Sequence, residues 1–139
     1  MKKLLFLLLS FGLLACGSDD ATPTAPINDT FDPTKATLLR EGNLMGSGSY
    51  VVSGVAQLYN DKGKLILFLN DFSSSNGPDL KVYLSTTTAA TSFISLGKLK
   101  STMGKQSYEI TGSPDLAEFK FVLIWCQQFS VQFGHAETK

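Results

Sequence analysis

The apolar residues of this chain come in short runs cut by turn-forming residues, and from about Thr37 onward no ten-residue stretch carries a 3.6-residue period. A long helix is therefore not expected. Tyr50 to Tyr59 is rich in Val and Tyr, and Lys64 to Asn70 is built around Leu65-Ile66-Leu67-Phe68-Leu69. Between them Asn60-Asp61-Lys62-Gly63 reads as a hairpin loop, which predicts an antiparallel pair. Leu80 to Ser85 follows the turn Ser75-Asn76-Gly77-Pro78-Asp79, and Ser92 to Leu96, Gln106 to Ile110, Phe119 to Cys126 and Phe129 to Phe133 complete the set. Seven or more short strands at such spacing predict an all-β fold, a single antiparallel β-sandwich or flattened β-barrel formed by residues 37–139.

The N-terminus belongs to a different class of sequence. Lys2 and Lys3 precede an apolar stretch from Leu4 to Ala15, too short for an ordinary membrane-spanning helix and lacking helix caps or a polar face. It closes on Leu13-Leu14-Ala15-Cys16, which resembles the bacterial lipobox, so residues 1–15 are expected to be a cleaved signal peptide and Cys16 to be acylated. Residues 16–36 hold three of the five prolines and no apolar periodicity. They read as a disordered, lipid-anchored tether of roughly 25 Å root-mean-square span. Asp19-Asp20 resemble the acidic surface-export signal of Bacteroidota lipoproteins, and read equally well as a solvated linker pair. The expected location is the bacterial cell envelope, on the outer membrane, at its periplasmic face or the cell surface. The expected membrane contact is the lipid on Cys16.

Loss of Lys2 and Lys3 from a chain with twelve basic and twelve acidic residues leaves a net charge of about −2. Arg40 is the only arginine, and no basic stripe or interleaved aromatic-basic surface is present, so nucleic acid is excluded as a partner. No Cys-x-x-Cys, Cys-x-x-Cys-His, Gly-x-Ser-x-Gly or phosphate-loop pattern occurs. One histidine and one free cysteine cannot hold zinc. Asp71 and Asp79 flank one loop, where turn or cap roles outweigh calcium binding. An autonomous enzyme is thus less expected than an accessory or binding module.

With Cys16 consumed by lipid, Cys126 has no intramolecular partner. An unpaired thiol in an exported protein is either a small core hydrophobe, continuing Val122 and Ile124, or a reactive group. Its place at the end of the most apolar strand, before Gln127-Gln128, predicts a sulfur near the rim, partly shielded by Trp125 yet reachable from one side. Phe119, Phe121, Trp125, Phe129 and Phe133 share odd parity and are expected to line core. A hairpin closed at Gln127-Gln128 would set Cys126 opposite Phe129 and His135 opposite Lys120, roughly 20 Å away, which argues against a cysteine–histidine pair and leaves His135 exposed.

The phrases Asn76-Gly77-Pro78-Asp79-Leu80-Lys81-Val82-Tyr83-Leu84-Ser85, Leu96-Gly97-Lys98-Leu99-Lys100, Gln106-Ser107-Tyr108-Glu109-Ile110 and Ile124-Trp125-Cys126-Gln127-Gln128-Phe129-Ser130-Val131-Gln132-Phe133-Gly134 resemble, in that order, the electron-transfer DM-thirteen domain family. Members occur alone in bacterial lipoproteins and beside DOMON domains in animal cell-surface proteins. The resemblance implies a β-sandwich or barrel module whose redox role rests on the cysteine matched by Cys126, as a bare thiol or as a ligand to a group such as haem. Departures are the absence of histidine near Ser49-Tyr50-Val51 and the polar ending Glu137-Thr138-Lys139. The expected function is a membrane-anchored extracytoplasmic redox accessory module, with Cys126 as redox thiol, Trp125 and Cys126 as candidate cofactor contacts, and a partner protein supplying or taking electrons. The alternative is a non-catalytic surface module that binds a protein or glycan, with Cys126 as packing.

Overall fold

A computed structural model describes residues 21–139. The signal segment 1–15, Cys16 and residues 17–20 lie outside the described residues. The elements are β1 (Ile27–Asn28), a 3-10 turn (Pro33–Lys35), β2 (Thr37–Asn43), β3 (Met45–Gly46), β4 (Val52–Asp61), β5 (Lys64–Ser74), β6 (Leu80–Ser85), β7 (Phe93–Lys98), β8 (Met103–Ile110), β9 (Phe121–Cys126) and β10 (Val131–Glu137).

They form two five-stranded sheets, ordered β1-β8-β5-β4-β2 and β3-β10-β9-β6-β7, packed face to face as a sandwich. The expected all-β sandwich is what the chain adopts. Every pairing between these strands is antiparallel except β1 on β8. The expected β4–β5 hairpin closes on Lys62 (φ 53°) and Gly63 (φ 88°), the two left-handed residues of a type I′ turn, with Asn60 Oδ1 accepting from the Gly63 N–H at 2.8 Å.

Between the sheets lie Leu58, Leu67 and Leu69 from one side and Leu80, Val82, Leu84, Val122, Ile124 and Cys126 from the other, all essentially inaccessible to water. At about 25 cal/mol per Å² of apolar surface, and 1.5–3 kcal/mol per fully buried aliphatic side chain, this layer is the main source of stability. At one corner the core turns polar. Gln106 Oε1 accepts from the Tyr108 hydroxyl at 2.7 Å and Gln106 Nε2 donates to the Ser101 carbonyl at 2.6 Å, so these buried groups satisfy one another. Burial pushes the Tyr108 phenol far above its ordinary value, and the nearby Asp29 charge adds to the rise.

The tether expectation is corrected for residues 21–36, which lie along the sandwich as a strap. Ala21 bridges Pro78, the Pro23 carbonyl accepts from Thr102 N–H at 2.8 Å, the Ala25 carbonyl accepts from Ser101 Oγ at 2.7 Å, and β1 extends the first sheet. Asp29 ends it, paired to Lys100 at 2.5 Å and accepting from Ser107 N–H at 2.8 Å. The segment's few apolar residues find cover: Phe31 packs at 5.4 Å on Tyr59 and at 5.3 Å on Phe68, closing the outer face of the first sheet. Of the prolines that argued for disorder, Pro23 and Pro26 lie in the strap, whose backbone is satisfied by β8 and the turn leading into it, and Pro33 opens the 3-10 turn.

Candidate functional site

β9 runs through the middle of its sheet, between β10 and β6, so both of its edges are hydrogen-bonded. Val122, Ile124 and Cys126 point to the core, and the alternating set Phe121, Leu123 and Trp125 points outward. The expectation that the odd-numbered aromatics line the core is therefore corrected for β9. On β10 a register shift between Gln132 and Gly134 breaks the parity, which returns Phe133 to the core while Phe129 stands exposed in the turn.

Cys126 is wholly buried, and this corrects the expected half-open thiol at the rim. Its sulfur donates to the Pro78 carbonyl at 3.1 Å, beneath the loop that joins β5 to β6. That loop is held from several sides. Asn76 Oδ1 accepts from Gly77 N–H at 2.8 Å, Asp79 takes a left-handed φ of 54°, and its carbonyl accepts from Gln127 N–H at 3.1 Å. The Asp79 carboxylate pairs with Lys81 at 2.8 Å, which leaves it poorly placed for calcium. Gly77 is required by crowding, since a β-carbon there would sit 2.6 Å from the Phe133 ring. Phe133 in turn stacks on Tyr50 at 3.8 Å.

Trp125 lies on the opposite face from Cys126 and does not shield it. It stacks on Tyr83 at 6.2 Å, and Tyr83 on Phe93 at 4.2 Å, forming an aromatic row on the outer side of the second sheet. Burial raises the Tyr83 phenol above its usual value, and the Asp79 charge raises it further. The β9–β10 turn is four residues, Gln127 to Ser130, rather than two, so Cys126 faces Val131 and His135 faces Leu123. Only three strand residues, about 10 Å, then separate Cys126 from His135 along β9. The two still cannot pair, because Leu123 and Cys126 point to opposite sides of the sheet. His135 is half-buried rather than exposed, and its Nδ1 is enclosed without a hydrogen-bond partner.

These positions do not fit haem. A macrocycle on the Cys126 sulfur would have to displace the Pro78 loop or the buried Leu80 and Phe133, and neither Trp125 nor His135 is on that side. Among the described residues no three of His, Cys, Asp or Glu gather as metal ligands. The loop 75–79 lies between the Cys126 sulfur, which bonds the Pro78 carbonyl, and Ala21 and Thr22 of the strap.

A second feature was not foreseen from the sequence. A cleft of about 390 Å³ opens beside the strap, lined by Asn28, Asp29, Phe31, Tyr59, Asn70 and Lys105 among others. Half of its wall was assigned to the tether; the apolar pair Ile27 and Phe31 amid Pro, Thr and Asp was the signal that this segment docks.

A search of curated proteins and of solved structures found no match to the chain. The family model described as Electron transfer DM13 matches residues 45–138, from β3 to the residue after β10, and so takes in the whole second sheet, β4, β5 and β8 of the first, the Pro78 loop and Cys126, with β1 and β2 ahead of it. By that match over most of its length, the chain belongs to the electron-transfer DM13 family.

Proposed function

We propose that this chain is a lipid-anchored extracytoplasmic electron-transfer accessory module of the bacterial envelope, held to the outer membrane through Cys16, in which Cys126 is the reacting group. Family membership supports the electron-transfer half of this reading. The single observation that carries the thiol half is the Cys126 sulfur lying directly under one loop, bonded to the Pro78 carbonyl. When the loop lifts, the thiol loses its proton to solvent and the thiolate attacks a disulfide of the partner protein. A mixed disulfide forms as the partner's S–S bond breaks, and the second partner sulfur leaves as thiolate. The loop thus keeps the thiol reduced and unreactive between encounters.

The test is the rate at which a small reagent, methyl methanethiosulfonate, labels Cys126 in the folded chain. Labelling well above the rate of global unfolding is the expected result. Labelling only as fast as the whole domain unfolds would remove the redox role. A specific observation favours a second reading: complete burial of Cys126 together with the aromatic-walled cleft fits a binding module for a protein or glycan, with the cysteine as packing.

A further inference from the structure

We propose that the end of the sandwich bearing the Cys126 turn rests directly on the lipid bilayer. The strap fixes where the chain enters the domain: Ala21 bridges Pro78, and Thr22, itself buried, reaches the Gly77 carbonyl at 3.5 Å. Five residue steps separate Cys16 from Ala21, a reach of at most about 18 Å at full extension. An acylated Cys16, which belongs to the function proposed above, therefore holds this end close to the head groups.

The surface found there suits that neighbour. Turns 47–51, 75–79 and 127–130, the connection 99–102 with Met103 at the start of β8, and the entering residues 21–26 cap this end and contain two charged residues, Asp79, already paired with Lys81, and Lys100, paired with Asp29. Three large apolar side chains project from them: Val51, 69% exposed, Phe129, 62%, and Met103, 44%. At the rim Lys98 is exposed and available to a phosphate oxygen, while Lys100 is held by Asp29. The other end is the reverse in character, with Asp61, Lys62 and Lys64 on its hairpin and Asp115, Glu118, Lys120, Glu137 and Lys139 around it. An apolar-tipped end beside the anchor, its few charges mostly paired with one another, is the pattern of an interfacial contact made by shallow insertion, and needs little help from anionic lipid. It places the Pro78 loop at the membrane surface, so that partners for Cys126 are reached from the plane of the bilayer.

Brominated phosphatidylcholine vesicles test the orientation. In a Trp125→Phe background, Phe129→Trp is compared with Leu38→Trp at the far end of the sandwich, and Val51→Trp with Leu39→Trp as a second pair. The acylated chain is used, and in parallel a chain whose Cys16 is replaced by a hexahistidine tag held on nickel-chelating lipid. At least threefold stronger quenching at positions 129 and 51 than at 38 and 39 is expected on both kinds of vesicle. Equal quenching at the two ends, or stronger quenching at 38 and 39, overturns the docking, and would assign the apolar tips to a protein partner. The tagged chain decides the orientation by itself, so a Cys16 found without acyl chains would sink the anchor and leave this comparison standing.

Discussion

At residue scale the consequences of burial are sharpest at Cys126. Its S–H has the Pro78 carbonyl as acceptor, so a hydroxyl in the same place would also find a partner. Cys126→Ser is expected to fold and to lose about 1–2 kcal/mol, through a poorer fit and a more costly polar group rather than an orphaned one. Chemical denaturation measures this, and a loss above about 4 kcal/mol would show that the sulfur has a packing role larger than its volume. Gly77→Ala is expected to be worse, because the added methyl meets the Phe133 ring and Phe133 is fixed by Tyr50. Cys126 was legible in the sequence as the residue to watch, yet its exposure was not. Both faces of β9 are apolar, Val122, Ile124 and Cys126 on one and Phe121, Leu123 and Trp125 on the other, so the strand carries no polar alternation from which to read the face that meets the other sheet.

The strap is the element that sequence alone misread, and it can be detached selectively. Gly104 takes φ 104° where β1 crosses β8, and a β-carbon there would lie 1.9 Å from the Ile27 carbonyl oxygen. Gly104→Ala is therefore expected to release residues 21–29, at a cost of about 1–3 kcal/mol, and to make that segment sensitive to protease while the sandwich of β2 to β10 stays intact. Acid should release it as well. Burial alone would raise the Asp29 carboxyl, but hydrogen bonds from Lys100 and from the Ser107 N–H and hydroxyl outweigh it and hold the group below its ordinary value of 3.8. A depressed folded value means that this stabilisation is full above the ordinary value and is lost as pH falls from there through the lower folded one. Protease sensitivity of the strap should rise over that window, and Asp29→Asn should remove the pH dependence; an unchanged profile in the variant would assign the acid effect to another carboxylate. The β4–β5 hairpin, by contrast, was legible at its turn, where Asn60, Lys62 and Gly63 dictate the geometry locally, although β5 runs on four residues past Asn70 to Ser74. The strap and β2 were not, since their pairing depends on distant partners and their side chains face mostly outward.

For the whole molecule, the sandwich and the strap differ in how they are held, and that difference should appear in amide exchange. β9 is hydrogen-bonded along both edges and Val122, Leu123 and Ile124 are fully buried, so their amides can exchange only when the sheet comes apart. The strap is held at one edge by a handful of bonds, among them Asp29 N–H to the Lys105 carbonyl at 2.9 Å and Thr102 N–H to the Pro23 carbonyl at 2.8 Å. Releasing it exposes little of the main core, so its opening free energy must lie below that of global unfolding. The Pro78 loop should follow the strap rather than the sheets, because Ala21 and Thr22 lie on it and its other ties, Ser75 to Val51, Pro78 to Cys126 and Asp79 to Gln127, run to turns and a strand end rather than along a ladder. Native-state hydrogen exchange is expected to group Asp29 and Thr102 in one set of low stability and Val122 to Ile124 in the set that tracks denaturation, with Gln127 N–H, bonded to the Asp79 carbonyl, in the first set. Placement of Gln127 in the second set would mean that the cover over Cys126 opens only when the domain unfolds, and the thiol would then have no folded state in which to react.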